Sequence, residues 1–232
     1  MPQNLSPNIP NHNSNNNLDM FADSLMDIFT PQASMISDSN SIANKKITTE
    51  DNAKKILKIG VCGAHGTGKT TLANSICKSF GIPIITNLMR SFWQEHGVID
   101  FEKLPKDVRT IFQKESLLRQ IKAEDDSELG FITDRTALDQ LGYTKLSSNM
   151  QGVEFKLYEQ LCKERLQNYS HLIYLPIEFD VQSELLRANI ETRDILDKIM
   201  KHYLDLWMPN KYTVISGDFE RRLTQVNLLL ES

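Results

Sequence analysis

Eight consecutive residues, Gly63-Ala64-His65-Gly66-Thr67-Gly68-Lys69-Thr70, satisfy the spacing G-x-x-x-x-G-K-[ST]. That spacing belongs to a loop that wraps a phosphate chain. Gly63, Gly66 and Gly68 free the backbone to turn its N–H groups onto phosphate oxygens. A helix starting at Lys69 adds its positive end. The Lys69 ammonium reaches the β and γ phosphates, and the Thr70 hydroxyl, with Thr71 behind it, ligates Mg2+. His65 lies within the loop and reads as filler, its ring turned outward. A second element is Phe131-Ile132-Thr133-Asp134, an apolar run ending in a carboxylate that can hold Mg2+ through water. Arg135 follows at once. Its guanidinium suits a phosphate or substrate anion, or a structural ion pair.

These groups need a scaffold that brings both segments to one edge. Apolar runs predict strands over Ile56–Val61, Ile82–Thr86, Phe131–Asp134, His171–Leu175 and Thr213–Ser216. Between them lie helical patterns, from Lys69 to about Ser79, about Pro105 to Asp125, about Glu154 to Asn168, and from about Glu220 to the end. Val108, Ile111, Phe112, Leu118 and Ile121 mark the apolar side of the long second pattern. Strands separated by helices imply an α/β domain with a five-stranded parallel sheet covered on both faces. Phe92, Trp93 and Phe101 read as core or as the wall of an acceptor pocket; Tyr203 and Trp207 read as core.

Residues 1–50 differ in kind. They hold no glycine, four of the eight prolines and a run of asparagines, and they read as a disordered tail. Within them Leu18, Phe21, Ala22, Leu25 and Phe29 fall on one helical face. The short amphipathic helix over 18–29 docks on the protein's own body or on a protein partner. The folded domain is expected over 51–232.

Composition narrows the function. Lys and Arg total 26 against 30 for Asp and Glu, a net charge of −4, which argues against a nucleic-acid or anionic-membrane binder. No apolar run approaches the ~20 residues that span a bilayer, and no signal peptide is visible. Cys62, Cys77 and Cys162 have no C-x-x-C spacing, so neither a disulfide framework nor a zinc site is expected, and a cytoplasmic location is the default. The histidines are dispersed without metal spacing. No N-K-x-D guanine marker follows the loop, and Asp139-Gln140-Leu141-Gly142 falls on a helix after the third strand rather than at a switch. A short chain of five strands with Arg187 and Arg193 on a late helical segment, 184–200, suits a small-molecule kinase, such a segment closing over phosphates.

The stretch Asp134-Arg135-Thr136-Ala137-Leu138-Asp139-Gln140-Leu141-Gly142-Tyr143 resembles the D-R-[ST]-x-x-D-x-x-[AG]-Y of AAA-type phosphate-loop kinases. That group includes the ribosylnicotinamide kinase domain and lies near thymidylate and deoxynucleoside kinases. The resemblance covers about residues 56–228. It implies a doubly wound sheet, Mg2+-ATP as donor and a nucleoside or nucleotide as acceptor. It assigns phosphate and metal to Lys69 and Thr70, metal to Asp134 and the transferred phosphoryl to Arg135. Arg187 and Arg193 become closing arginines, Arg221 packs near adenine, and Asn87, Arg90 and Asp139 face the acceptor. One departure stands out. The family's E-x-x-R after the second strand is Asn87-Leu88-Met89-Arg90 here, and Asn cannot accept a proton at neutral pH. Glu95 or Asp134 would then serve as base, or the acceptor is already ionised. The alternative is an ATP- or GTP-binding regulatory protein with weak hydrolysis.

Overall fold

The computed structural model describes residues 56–86, 88–179 and 190–231. The tail with its 18–29 helix, Asn87 and Arg187 lie outside the described residues. Five strands, β1 (Lys58–Cys62), β2 (Ile84–Ile85), β3 (Phe131–Asp134), β4 (His171–Tyr174) and β5 (Thr213–Val214), form one sheet in the order β2-β3-β1-β4-β5. All neighbours run parallel. The register pairs Val61 with Asp134 on one side and with Ile173 on the other, so the chain leaves β1 beside the Asp134 carboxylate.

Seven helices cover the sheet among the described residues: α1 (Lys69–Phe80), α2 (Leu88–Glu95), α3 (Lys106–Asp125), α4 (Ala137–Ser147), α5 (Gly152–Leu166), α6 (Ile190–Trp207) and α7 (Phe219–Glu231). The strands alternate between two cores, which is the α/β doubly wound arrangement the sequence predicts. Ile59, Val61, Ile132 and Ile173 face Leu72 and Ile76 of α1 and Val226 of α7. Burying a Leu or Ile of this kind contributes about 2 kcal/mol. Cys62, Phe131, Leu172 and Tyr174 face the opposite core, with Leu138, Leu141, Leu196 and Met200.

The sheet and the long elements fall where the hydrophobic pattern puts them. Two readings need correction. Helix α2 was not expected, and Phe92, Phe101 and Phe112 join Trp93 in a separate aromatic cluster beside it. These aromatics are core rather than pocket wall, since the cavity described below is lined by other residues. The second correction is the face of α3. Thr110, Phe112, Gln113, Ser116, Leu117, Gln120 and Glu124 are buried, whereas Val108, Ile111, Leu118 and Ile121 are only half-buried. The polar stripe turns inward because α3 and α4 satisfy each other. Between them Gln140 donates to Ser116 at 2.9 Å and Gln113 to Ser147 at 3.2 Å; within α3 Gln120 donates to Glu124 at 2.9 Å, and Thr110 donates to Asn149, just past α4, at 2.6 Å. Paired in this way, buried polar groups avoid the desolvation penalty.

Candidate functional site

The loop between β1 and α1 closes one end of the sheet. Gly63 has φ +147°, and a Cβ there would lie 2.5 Å from the Leu175 carbonyl oxygen, so only glycine lets the loop pass β4 this closely. No side chain caps the N-terminus of α1. Its first N–H groups are therefore left to a ligand, which is how helix starts bind phosphate. A cavity of about 570 Å3 lies over this end, lined on the loop side by His65, Gly66, Gly68, Lys69, Thr70 and Thr71. Gly63, Ala64 and Thr67 are buried behind the lining.

Lys69 is 6% exposed and folds back onto its own loop, donating to the Gly63 carbonyl at 2.6 Å and the Ala64 carbonyl at 2.7 Å. Burial lowers its pKa to about 8, against the pull of Asp139, whose Oδ1 is 4.0 Å away. The Thr70 hydroxyl donates to Asp134 Oδ2 at 2.7 Å. Asp134 Oδ1 is buried without a hydrogen-bond partner. A hydroxyl and a half-satisfied carboxylate in contact beside the loop suit a hard cation such as Mg2+. Among the described residues no cluster of three His, Cys, Asp or Glu side chains could hold a transition metal.

Arg135 lines the cavity from a strained backbone, φ 99°. Its conformation is held from below. Its N–H donates to Val61, and its carbonyl accepts from Thr133 Oγ1 and, at 3.0 Å, from Gln120 Nε2. The guanidinium lies 5.0 Å from the Tyr143 ring centre. Burial opposes its charge, but Tyr143, Asp139 and Asp134 outweigh this and raise its pKa, so it stays cationic. Across the cavity α2 supplies Arg90, Ser91 and Gln94, and α1 supplies Asn74. Ser91, Gln94 and Asn74 were not expected; a helix at 88–95 presents 90, 91 and 94 on one side, and Asn74 stands one turn beyond Thr70 on the expected helix.

Several expected residues lie elsewhere. Asp139 is buried and accepts from the Thr136 N–H at 2.8 Å and hydroxyl at 3.0 Å, capping α4 beneath Lys69 rather than lining the cavity. Burial raises its pKa, against Lys69 and Arg135. Glu95 pairs with Arg119 at 2.7 Å and does not line the cavity. Arg193 is buried and donates to the Phe179 carbonyl at 3.0 Å. Arg221 is exposed, at the start of α7. Its neighbour Arg222, which sequence reasoning passed over, is the one that meets the loop, through the Thr67 carbonyl. No described helix is long and apolar enough to cross a membrane.

A family model described as an AAA domain matches residues 58–222. The crystal structure of NadR protein in complex with NAD and AMP-PNP aligns with 76% of this chain and 49% of its own, at a TM-score of 0.57 and 17% identity. The chain thus spans about half the length of that protein. A deoxyadenosine kinase from M. mycoides aligns over 75% of this chain and 98% of its own, at a TM-score of 0.57 and 19% identity. A thymidylate kinase from Ehrlichia chaffeensis aligns over 76% and 99%, at a TM-score of 0.52 and 14% identity. No curated protein sequence matches the chain. At these identities the structures speak for the fold, and the family match covers more than two thirds of the sequence: the chain belongs to the AAA-domain family and has the fold of phosphate-loop kinases.

Proposed function

We propose that this protein transfers the terminal phosphoryl group of Mg2+-ATP to a nucleoside or nucleotide-like small molecule. The observation that carries this reading is the grouping of Lys69, the Thr70–Asp134 pair, Arg135 and Arg90 around one cavity at the open N-terminus of α1. The loop N–H groups and Lys69 bind the β and γ phosphates. Thr70 and Asp134 would hold Mg2+, which neutralises charge on those phosphates when bound. Arg135 meets the charge that spreads over the equatorial oxygens as the phosphoryl moves. The bond to the bridging oxygen breaks as that to the acceptor oxygen forms, and an acceptor hydroxyl must shed a proton. The kinase neighbours and the resemblance around Asp134–Tyr143 support the nucleoside or nucleotide acceptor. Arg90, exposed on the far wall, suits an acceptor that carries negative charge. GTP in place of ATP, a cytoplasmic location, a nucleotide-side place for Arg221 and closure by Arg187 and Arg193 belong to the same proposal.

One observation favours a second reading. Among the described residues that line the cavity, Asp134 is the one carboxylate, and it is already bonded to Thr70. A site whose one carboxylate is committed to Thr70 and a metal suits a nucleotide-binding regulatory protein that hydrolyses slowly and acts through a partner. The experiment that separates the readings is transfer from γ-labelled ATP and GTP, with Mg2+, to nucleosides, ribosylnicotinamide and nucleoside monophosphates, beside Lys69→Ala. A labelled product made by wild type alone establishes the kinase and names its acceptor. Tight triphosphate binding without transfer to any acceptor refutes it in favour of the regulatory reading.

A further inference from the structure

Arg222 sits on the first turn of α7, yet it is 3% exposed. Its guanidinium donates through Nη1 to the Thr67 carbonyl and through Nη2 to Glu178 Oε2 at 2.6 Å. It lies 5.0 Å from the centre of the Phe179 ring. Nη1 is also the atom that a Cβ on Gly68 would meet, at 3.2 Å. A cation from the last helix therefore rests against the back of the phosphate loop.

The consequence follows from peptide geometry. In a trans peptide the C=O and the next N–H point in opposite directions. With the Thr67 carbonyl turned onto Arg222, the Gly68 N–H points away from it. Gly68 lines the cavity. Its φ is +92°, and glycine tolerates either orientation of the preceding peptide at little cost. Local preference leaves that orientation open, and an external donor settles it. We propose that Arg222 is a positioning residue of the phosphate loop, holding the Thr67–Gly68 peptide so that its N–H meets the phosphate chain of a nucleoside triphosphate. The proposal rests on the phosphate-binding reading above. Glu178 holds the fork in place: its carboxylate also accepts from the Gly217 N–H at 2.8 Å, which ties it to the turn before α7. Because Glu178 neutralises the cation, direction rather than added positive charge is what Arg222 supplies.

The test uses the full chain and two probes, Mg2+-ATP and inorganic triphosphate, titrated calorimetrically. The variants are Arg222→Met, which keeps the packing on Phe179, and Glu178→Gln/Arg222→Met, which also removes the partner charge and so protects the fold. The expected result is a Kd at least tenfold weaker for both probes in both variants. The double variant should melt within a few degrees of wild type, a shift too small for a folding defect to explain the lost affinity. Arg222→Lys, a cation that serves one acceptor at a time, should fall between. Wild-type binding beside a folded double variant that binds within twofold overturns this proposal alone. A wild type that binds neither probe overturns the phosphate-binding reading and this proposal with it.

Discussion

Binding of Mg2+-ATP should draw a proton from solution, and the amount should depend on pH through Lys69. The buried ammonium has a pKa of about 8 in the free protein because burial penalises its charge. A triphosphate replaces two carbonyl acceptors with anionic oxygens and returns the pKa well above that value. At about pH 8.5 roughly three quarters of the free protein carries neutral Lys69, and at about pH 7 roughly a tenth does. Binding should therefore take up about 0.7 proton at the higher pH and about 0.1 at the lower. The ATP phosphates are fully ionised at the higher pH and contribute nothing. The assay is calorimetric titration in buffers of different ionisation enthalpy, with Lys69→Ala as control. Uptake that is equal at the two pH values, or that survives in Lys69→Ala, refutes the assignment. The same shift fixes a sign for stability. The folded pKa lies below the unfolded one, so the unfolded chain binds more protons between about pH 8 and 10.5, and the free protein gains stability as pH rises through that window. Below it the buried charge costs about 3 kcal/mol.

Thr70→Ala removes the hydroxyl that meets Asp134, so the strengthening of ATP binding by added Mg2+ should shrink toward none; equal strengthening in variant and wild type places the metal elsewhere. Gly142→Ala drives a methyl group into Leu196 Cδ1, between α4 and α6, and should cost about 1–3 kcal/mol of stability. Its melting temperature should fall while nucleotide affinity in the folded protein stays unchanged; an unaltered melt contradicts the close packing. Asn87→Glu places a carboxylate three residues before Arg90 and should raise transfer to acceptor hydroxyls but not to acceptor phosphates. A flat or lower rate with nucleosides argues that the missing base is not what limits the reaction.

The phosphate loop and the Asp134–Arg135 end of β3 are legible in the sequence because their chemistry is local. A strand, a glycine turn and a helix start follow one another within a dozen or so residues, and the pattern reports all three. Strand ends are less legible. The reading 82–86 shrinks to Ile84–Ile85 and 213–216 to Thr213–Val214, because both are edge strands that pair on one side only. The choice between Arg221 and Arg222 was out of reach for another reason. One residue of helix turns a side chain by about 100°, and the pattern at the start of α7 does not fix that phase. The inward face of α3 was hidden in the same way. Gln113, Ser116 and Gln120 look like a solvent face until the matching groups of α4 are known.

The site satisfies part of its own charge, and this bears on how it works. Lys69 rests on loop carbonyls, Thr70 on Asp134, and Asp139 on the cap of α4. The bonds of Lys69 and Thr70 have counterparts that a magnesium triphosphate would supply, while the Asp139 cap stays as it is. At Lys69 and Thr70 binding is then an exchange of partners, whereas the uncapped N–H groups of α1 and Asp134 Oδ1 gain partners outright. An exchange also places a limit on affinity, because each new contact is worth only its advantage over the bond it replaces. Of the two exchanged contacts, the one at Lys69 has the larger advantage, because neutral carbonyls give way to anionic phosphate and the burial penalty on the ammonium is relieved. Proton uptake at Lys69 therefore reports that exchange directly.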